Sequence, residues 1–368
     1  MSSVPVRVLF AGGGTGGHLF PGIAVASELR RRHPAAKVVF AGSGKALEAR
    51  VVEPAGFAFD HIRTRGLVGQ SAGSLLRGLA LLPVSMFDAA ALVRRHAPGL
   101  VIGLGGYSSG PIVLWAALRG LPTMLLEQNA VPGVTNRILA RVVRAAAVTS
   151  EATLPYFGGR GFVSGNPVRA GFFEAQRPSG EAQSDEVHVL VIGGSQGAHA
   201  INVAMVEAAR SIAQSPRPIR LTHQAGERDL ELVREGYRAA GLEVRVEPFL
   251  EEMDREMAAA QLVVCRAGAT TLAELAAAGR PAVLVPFGRA ANDHQRRNAA
   301  AVEAAGAAEV VDERELSGGA LGARVLALAS DADRRAALAA ASRERARPDA
   351  ASAVVDRMES LLALGDES

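Results

Sequence analysis

Two glycine-rich segments have the composition of phosphate-binding loops. Residues 12–17 follow the apolar run 6–11, and residues 193–198 follow the apolar run 187–192. Glycine lets the backbone come close to phosphate oxygens, and the free N–H groups at a helix start supply donors and positive potential. Ser195 adds a hydroxyl to the second segment. We therefore predict that the second segment binds a nucleotide diphosphate.

The first segment satisfies the pattern G-x-G-x-x-G, which is a weak signal when it stands alone. Dinucleotide binding also needs an acidic residue at the end of the next strand, and that strand is followed by Gly42-Ser-Gly-Lys45. The pattern thus disfavours a nicotinamide cofactor. Neither segment has the Gly-Lys-Ser/Thr of an ATP-hydrolysing P-loop. A tight turn that needs glycine remains the alternative for the first segment.

His18 follows the first glycine segment and is our candidate general base. A histidine titrates near neutrality, which suits removal of a proton from an attacking alcohol. Four of the five residues before His18 are glycine, so we expect the ring to be exposed. A lone histidine would be better explained as a helix cap or a core residue. Glu127, at the end of another apolar run, is an alternative base or an orienting partner.

A third segment, residues 265–281, has a strand end, a small-residue turn and a helix. The turn at 269–271 would let a ligand come close, and Glu274 can accept hydrogen bonds from a ribose diol. Taken by itself, Glu274 is better explained as a solvated carboxylate near a helix N-terminus. Gln295 follows a polar loop and can bond sugar hydroxyls, whereas Asp293 is explained by a helix cap.

Cys265 is the only cysteine, which excludes intramolecular disulfides and zinc sites built on several thiolates. A reducing compartment fits best. The only Asp-x-Asp, Asp331-Ala-Asp333, follows Ser330 and is better explained as a helix start than as a metal ligand. We therefore predict no metal in the donor site and no cofactor.

Strand-like runs alternate with helical patterns in both halves, which predicts parallel sheets covered by helices. The fold class predicted is α/β, with two doubly wound Rossmann-like domains joined by a linker at 165–169. Ligands bind beyond the carboxyl ends of such strands, so we expect a substrate cleft between the domains. One predicted strand precedes each glycine segment, and the other predicted strands are 37–41, 100–103, 123–127, 146–149, 220–224, 244–248, 261–265 and 282–286. Helices are predicted at 21–32 and 199–213.

The length of 368 residues suits two or three domains, and 49% hydrophobic with 21% charged residues is ordinary globular composition. No signal peptide pattern is found at the N-terminus, and the most apolar stretch, 75–93, is interrupted by Arg77, Pro83 and Asp88. We therefore predict neither export nor a membrane-spanning segment.

The net charge of +3 hides an asymmetry between the halves. Residues 1–165 carry 17 Lys+Arg against 7 Asp+Glu, whereas residues 166–368 carry 23 against 30. The basic half should attract anions. Nucleic acid is disfavoured because aromatic residues are only 4% and are not interleaved with basic runs. An anionic membrane surface and a phosphorylated substrate remain.

Apolar side chains near Arg77, Arg94 and Arg95 are candidates for membrane contact: Leu75, Leu76, Leu79, Leu81 and Leu82. Such spacing also fits the buried face of a helix. Trp115, the sole tryptophan, fits either the membrane interface or the core.

Six motifs occur together in an order that resembles the MurG family of N-acetylglucosaminyltransferases, which act in bacterial peptidoglycan synthesis. The resemblance extends from about residue 6 to 298. The motifs are Gly13-Gly-Thr-Gly-Gly-His18, Gly105-Gly-Tyr-Ser-Ser-Gly-Pro111, Glu127-Gln-Asn129, Gly165-Asn-Pro-Val-Arg169, Gly193-Gly-Ser-Gln-Gly-Ala198 and Cys265-Arg-Ala-Gly-Ala-Thr-Thr-Leu-Ala-Glu274.

The resemblance implies a GT-B fold and a hexosyltransferase. This enzyme would move N-acetylglucosamine from UDP-GlcNAc, with inversion, to the C4 hydroxyl of the MurNAc unit of lipid I (undecaprenyl-pyrophosphoryl-MurNAc-pentapeptide) and so form lipid II. It also implies a peripheral protein on the cytoplasmic face of the bacterial cell membrane, bound to the anionic inner-membrane surface, with roles in cell wall biogenesis, cell shape, cell division and the cell cycle. The alternatives are a UDP-GlcNAc 2-epimerase and a non-catalytic sugar-nucleotide-binding protein.

The same resemblance implies domains at 1–168, for the acceptor and membrane, and 169–349, for the donor, with a helix at about 350–368 packing back on the first. It assigns catalysis to His18, with Glu127 on the acceptor side beside Gly14 and Tyr107. The implied UDP-GlcNAc contacts are Thr15, Gly16, Gly17, Asn129, Arg169, Ser195, Leu250, Ala269, Thr270, Thr271, Leu272, Ala273, Glu274 and Gln295.

Overall fold

The computed structural model describes residues 6–64, 81–174, 185–194, 197–288, 290 and 293–363. The chain divides into two compact units. Unit 1 comprises residues 1–169 and 347–368, and unit 2 comprises residues 170–346. Ser195 and the leucines at 75, 76 and 79, all named by the sequence predictions, lie outside the described residues.

Unit 1 contains a parallel sheet in the order β3-β2-β1-β4-β5-β6-β7 among its described residues. Its strands are β1 (Arg7–Gly12), β2 (Lys37–Gly42), β3 (Ala58–His61), β4 (Leu100–Gly105), β5 (Thr123–Glu127), β6 (Ala145–Val148) and β7 (Gly161–Val163). The central strands are continuous apolar runs because helices cover both faces of such a sheet. Leu9, Phe10 and Ile102 are fully buried.

The helices of unit 1 are α1 (Gly16–Arg32), α2 (Ala46–Val52), α3 (Leu82–His96), α4 (Ser109–Leu118) and α5 (Val134–Leu139), and two 3-10 turns, Glu151–Tyr156 and Gly158–Arg160, precede β7. The order of the strands reverses between β1 and β4, which are neighbours in the sheet. At such a switch point the chain segments after the two strands diverge and leave room for a ligand. The first glycine segment and Gly105-Gly106 lie at this point.

Helix α1 begins at Gly16, five residues before the predicted start at 21, so that boundary was wrong. Thr15 has extended backbone angles and occupies the N-cap position, and Pro21 lies inside the helix. Two glycines and His18 therefore form the first turn of α1 rather than a loop before it.

Unit 2 begins with α6 (Ala170–Glu174) and contains a second parallel sheet in the order β10-β9-β8-β11-β12-β13 among its described residues. Its strands are β8 (Val187–Ile192), β9 (Ile219–Gln224), β10 (Arg245–Glu247), β11 (Leu262–Cys265), β12 (Ala282–Leu284) and β13 (Ala308–Val310). Its further helices are α7 (His199–Ala213), α8 (Leu230–Ala239), α9 (Met253–Ala259), α10 (Ala269–Ala278), α11 (His294–Ala304), α12 (Gly318–Ser330) and α13 (Ala332–Glu344).

The last helix, α14 (Ala350–Ala363), belongs to unit 1 and packs against α1. Arg32 of α1 pairs with Asp356 at 2.6 Å and with Glu359 at 3.4 Å, and His33 lies 2.9 Å from Glu359. Among the described residues, none of the helices combines the length and apolar character needed to cross a membrane.

Candidate active site

The first glycine segment holds His18 against the loop that follows β4. Gly12 and Gly14 have positive φ angles of 144° and 88°, which favour glycine. The Nδ1 atom of His18 lies 3.3 Å from the carbonyl oxygen of Gly13 and 3.5 Å from Oγ1 of Thr15. Because a carbonyl oxygen can only accept, the contact with Gly13 favours the tautomer that carries its proton on Nδ1. Nε2 is then the basic atom of the ring.

The other edge of the half-buried His18 ring faces Gly105. A β-carbon at Gly105 would come within 3.3 Å of both Cδ2 and Nε2 of the ring, so glycine there gives the imidazole room. Tyr107 follows in the same turn and is 45% exposed, which makes its phenol accessible to a ligand. The structure thus brings His18 close to the Gly105–Tyr107 turn that sequence analysis placed on the acceptor side.

Glu127 is buried at the carboxyl end of β5 and organises the loop after it. Its Oε1 accepts from the backbone N–H of Asn129 at 2.9 Å and from Nδ2 of Asn129 at 3.2 Å. Its Oε2 accepts from Gly133 N–H at 3.2 Å and from Nδ2 of Asn136 at 2.8 Å. Four donors therefore hold the carboxylate in place. Sequence analysis missed Asn136, since nothing in the local pattern distinguishes it from a helix-surface amide.

Arg169, the last residue of the first stretch of unit 1, stacks on an aromatic ring of α1. Its guanidinium carbon lies 4.7 Å from the centroid of Phe20, and Phe20 in turn packs over Gly16. Cation-π contact of this kind fixes the side chain beside the start of α1. Arg169 is thereby placed with Thr15, Gly16 and Gly17.

In unit 2, one buried amide joins two of the predicted donor-binding segments. Gln224, at the end of β9, donates from Nε2 to the carbonyl of Gly194 at 2.7 Å. Its Oε1 accepts from the backbone N–H of Leu250 at 3.0 Å. Its own carbonyl accepts from Gly193 N–H at 3.2 Å. Sequence analysis did not single out Gln224, because its partners are distant in the chain.

The segment 269–274 forms the first turns of α10, with Gly268 as N-cap. Thr270 and Glu274 are each 7% exposed, and Thr271, Leu272 and Ala273 are half-buried. This burial excludes the interpretation of Glu274 as a solvated carboxylate. Burial, and secondarily the charge of Glu274, raise the pKa of the Cys265 thiol to about 12, so the thiol is protonated and unreactive at neutral pH.

Gln295 is the second residue of α11. Its Oε1 accepts from the backbone N–H of Phe287 at 2.9 Å, so the amide already secures the loop after β12. Asp293 occupies the N-cap position in the left-handed region, with φ at 55°, and its side chain makes no capping hydrogen bond. Asp293 therefore occupies the predicted N-cap position of α11, but its side chain does not make the hydrogen bond expected of a cap.

A polar network in unit 2, which the sequence pattern does not predict, joins β9 to the start of α7. His223 bonds the hydroxyl of Tyr237 at 2.8 Å and Oδ1 of Asn202 at 3.0 Å. Nδ2 of Asn202 donates to Asp229, which lies 3.0 Å from Nδ1 of His199. Burial lowers the pKa of His223 to about 3, so this ring is neutral and structural. The chain of contacts anchors the start of α7.

Across the described residues, no group of three or more His, Cys, Asp or Glu side chains is arranged to hold a metal ion. The predicted site residues fall into two sets. Unit 1 brings together the first glycine segment, His18, Tyr107, Glu127, Asn129 and Arg169, and unit 2 holds Leu250, residues 269–274 and Gln295.

Comparison with known proteins decides the family. Residues 8–148 match the glycosyltransferase family 28 N-terminal domain, and residues 188–354 match the glycosyltransferase family 28 C-terminal domain. The chain is 45% identical over 95% of its length, and 92% of the relative's, to the UDP-N-acetylglucosamine--N-acetylmuramyl-(pentapeptide) pyrophosphoryl-undecaprenol N-acetylglucosamine transferase of Anaeromyxobacter sp. (strain Fw109-5). The chain belongs to this family of glycosyltransferases.

Other members are nearly as similar. The transferase of the same name from Geobacter sulfurreducens is 42% identical, with 96% of this chain and 98% of the relative covered. The crystal structure of Acinetobacter baumannii MurG matches with a TM-score of 0.73 and 29% identity, covering 97% of this chain and all of that one. The predicted resemblance, the α/β GT-B fold class and the assignment as a glycosyltransferase of peptidoglycan synthesis are thereby confirmed.

The fold also resembles that of a protein described as a UDP-N-acetylglucosamine 2-epimerase, but with much lower sequence identity. A Listeria monocytogenes structure described as a putative epimerase matches with a TM-score of 0.69 but only 15% identity. Identity this low shows a common fold and says nothing about the reaction.

Proposed function

We propose that this enzyme transfers N-acetylglucosamine from UDP-GlcNAc to the C4 hydroxyl of the MurNAc unit of lipid I, which yields lipid II and UDP. The observation that carries the proposal is the 42–45% identity, over nearly the whole chain, to transferases named for this donor and this acceptor. The placement of His18 and Glu274 gives the proposal a physical basis.

His18 acts as the general base of the reaction. Its Nε2 takes the proton of the C4 hydroxyl while the oxygen attacks the anomeric carbon and the bond from that carbon to the UDP oxygen breaks. A single displacement of this kind inverts the anomeric configuration. The contact of Nδ1 with Gly13 supports this role, because it leaves Nε2 as the proton acceptor.

Glu127 is better suited to orienting than to taking a proton. Its oxygens accept from four donors of Asn129, Gly133 and Asn136, and its exposure is 3%. We assign it the task of shaping the acceptor side together with Gly14 and Tyr107. We assign Asn129, which donates two hydrogen bonds to Glu127, to contact with the donor.

Donor binding in unit 2 depends on the ends of β8, β11 and β12. Glu274 accepts hydrogen bonds from the ribose hydroxyls, and residues 269–273 line the nucleotide, since the small side chains of this turn permit close approach. Leu250, Ser195 and Gln295 complete the contacts.

Charge on the departing UDP is stabilised without a metal. Backbone N–H groups at the start of α7 act in unit 2, and the Arg169 guanidinium acts with Thr15, Gly16 and Gly17 in unit 1. Oriented N–H groups and a guanidinium are strong partners for phosphate oxygens.

A surface of unit 1 supports the membrane part of the proposal. Phe87 of α3 is 72% exposed and Leu118 of α4 is 69% exposed. A groove between these helices is lined mostly by apolar residues, among them Phe87 and Trp115, together with the basic side chains of Arg94 and Arg119. We call this surface the α3–α4 face and infer that it contacts the anionic cytoplasmic surface of the cell membrane, where lipid I resides. Roles in cell shape and division follow from lipid II supply.

The test is a transfer assay with radiolabelled UDP-GlcNAc and lipid I. Label moving into the organic phase, with release of UDP that depends on the acceptor, is the expected result. Formation of UDP-ManNAc without acceptor would establish epimerisation instead, and binding of UDP-GlcNAc without turnover would establish a non-catalytic binding protein.

A further inference from the structure

Glu48 is a fully buried carboxylate that takes no part in the mechanism proposed above. It lies in the first turn of α2 and has no exposed surface. Removing a carboxylate from water costs several kcal/mol unless hydrogen bonds replace those of the solvent.

Four donors converge on Glu48. Its Oε2 accepts from the backbone N–H groups of Ser43 and Lys45 at 2.9 and 3.0 Å. Its Oε1 accepts from Oγ of Ser43 at 2.9 Å and from the backbone N–H of Gly14 at 2.6 Å. The first three bonds cap α2 and are local. The bond from Gly14 spans 34 positions and is not needed for the cap.

The peptide unit between Gly13 and Gly14 joins Glu48 to His18. Its N–H donates to Glu48, and its carbonyl lies 3.3 Å from Nδ1 of His18. The N–H and C=O of a trans peptide point in opposite directions, so this unit lies between the carboxylate and the imidazole. Hydrogen bonds in a chain polarise one another, and a carboxylate on the N–H makes the carbonyl a stronger acceptor.

The glycines around Glu48 make room for this arrangement. A side chain at Gly13 would overlap the Glu48 carboxylate, and a β-carbon at Gly42 would lie 2.7 Å from Oε2. Neither glycine has a positive φ. They are therefore required for the space that the carboxylate occupies, not for their backbone conformation.

We propose that Glu48 is a positioning residue for His18 and acts through the Gly13–Gly14 peptide. It holds the proton of the neutral ring on Nδ1, keeps Nε2 as the base and stabilises the imidazolium that forms when Nε2 takes the proton of the alcohol. No proton passes along the peptide. An acidic residue serves a catalytic histidine in this way by direct contact in serine proteases, whereas here one peptide is interposed. The proposal rests on the proposed role of His18.

The first experiment is an NMR measurement of the ¹⁵N shifts of the His18 ring in the unaltered protein. We expect the neutral ring to carry its proton on Nδ1. Protonation on Nε2 would overturn the proposal. This measurement needs no turnover, so it gives its answer even if the transfer assay fails and the proposed function is wrong.

The second experiment compares Glu48→Gln with Ser43→Ala. Glu48→Gln removes the charge, whereas Ser43→Ala removes one cap hydrogen bond and keeps the carboxylate and its bond from Gly14. We expect Glu48→Gln to lower kcat about tenfold, a fraction of what a general base contributes, with an unchanged KM for UDP-GlcNAc. The acid limb of its kcat profile should move to lower pH, because the imidazolium loses a stabilising charge.

The other titratable and charged groups around His18 are the same in both variants: Lys45 at the N-cap of α2, Tyr107 after β4, Arg169 beside the start of α1, and Glu127, which reaches the Gly105 turn through Asn136. An unshifted acid limb in Glu48→Gln, or an equal shift in Ser43→Ala, would overturn the proposal. If Glu48→Gln does not fold, the tautomer of His18 measured in the unaltered protein tests the proposal by itself.

Discussion

Gln224 and Leu250 are joined by a hydrogen bond of 3.0 Å between a side-chain oxygen and a backbone N–H, while the same amide donates to Gly194 at 2.7 Å. The two partners fix the orientation of the amide, because a backbone N–H only donates and a carbonyl only accepts. One side chain thus sets the spacing of two segments that we assign to the donor.

Replacing Gln224 by Met should weaken UDP binding about tenfold, because the Gly194 carbonyl and the Leu250 N–H would both lose their partner. Isothermal titration with UDP measures this. Thr222→Val is the matched control, since it removes a buried hydrogen bond to His188 from the same strand. Equal UDP affinities in the two variants would show that Gln224 serves stability alone.

His18→Ala should lower kcat by about 10²–10⁴ and leave the dissociation constant for UDP-GlcNAc nearly unchanged, because the lost group acts on the acceptor proton. Steady-state kinetics with lipid I and titration with the donor separate the two effects. His33→Ala, which removes the contact with Glu359 at the other end of α1, should retain normal turnover. Near-normal kcat in His18→Ala would remove this residue from the role of base.

Phe87→Glu should reduce binding to vesicles that contain anionic phospholipid without lowering the melting temperature, since this side chain is 72% exposed on the α3–α4 face. Vesicle co-sedimentation and thermal unfolding give the two readouts. Leu232→Glu places the same change on an exposed apolar residue of unit 2 and should bind normally. Equal binding by the two variants would place the membrane contact elsewhere.

Acidification should destabilise unit 2 through His223, whose pKa burial lowers from 6.5 to about 3. Above pH 6.5 the ring is neutral in both states, so its contribution to the free energy of unfolding is constant. Between 6.5 and about 3 the unfolded chain binds a proton that the native state does not, so the free energy of unfolding falls as the pH falls.

Urea unfolding at pH 7, 6 and 5 measures this decline above the range in which ordinary carboxylates titrate. His223→Gln should show a shallower decline. Part of the slope should remain, because burial also lowers the pKa of His188. A slope identical to that of the unaltered protein would contradict the assignment.

The central strands β1, β4, β5, β8 and β11 were predictable because each is a largely apolar run. The elements β2, β5 and α7 lie where the pattern placed them or within one residue. The missed strands are β3, whose four residues are two apolar residues followed by two polar ones, and β7 and β13, which have only three residues each. Segments this short become strands because they pair with a neighbouring strand, and the local sequence pattern carries no information about that pairing.

The start of α1 shows a different failure. Glycine has a low intrinsic helix propensity, so the pattern favoured a loop up to residue 20. The bond from Gly14 to Glu48 and the packing of Arg169 on Phe20 join residues far apart in the chain, and such contacts override that preference. For the candidate site, residue types at strand ends were predictable, whereas Glu48, Asn136 and Gln224 were not, since each acts on a partner made close by the fold.

The placement of α14 on α1 makes unit 1 a discontinuous body, assembled from two stretches of chain on either side of unit 2. During synthesis the chain leaves the ribosome from its N-terminus, and domains fold as they emerge. All of unit 2 has been synthesised before α14 appears, and only then can α14 pack against α1. The unit that carries His18 is therefore begun first and completed last.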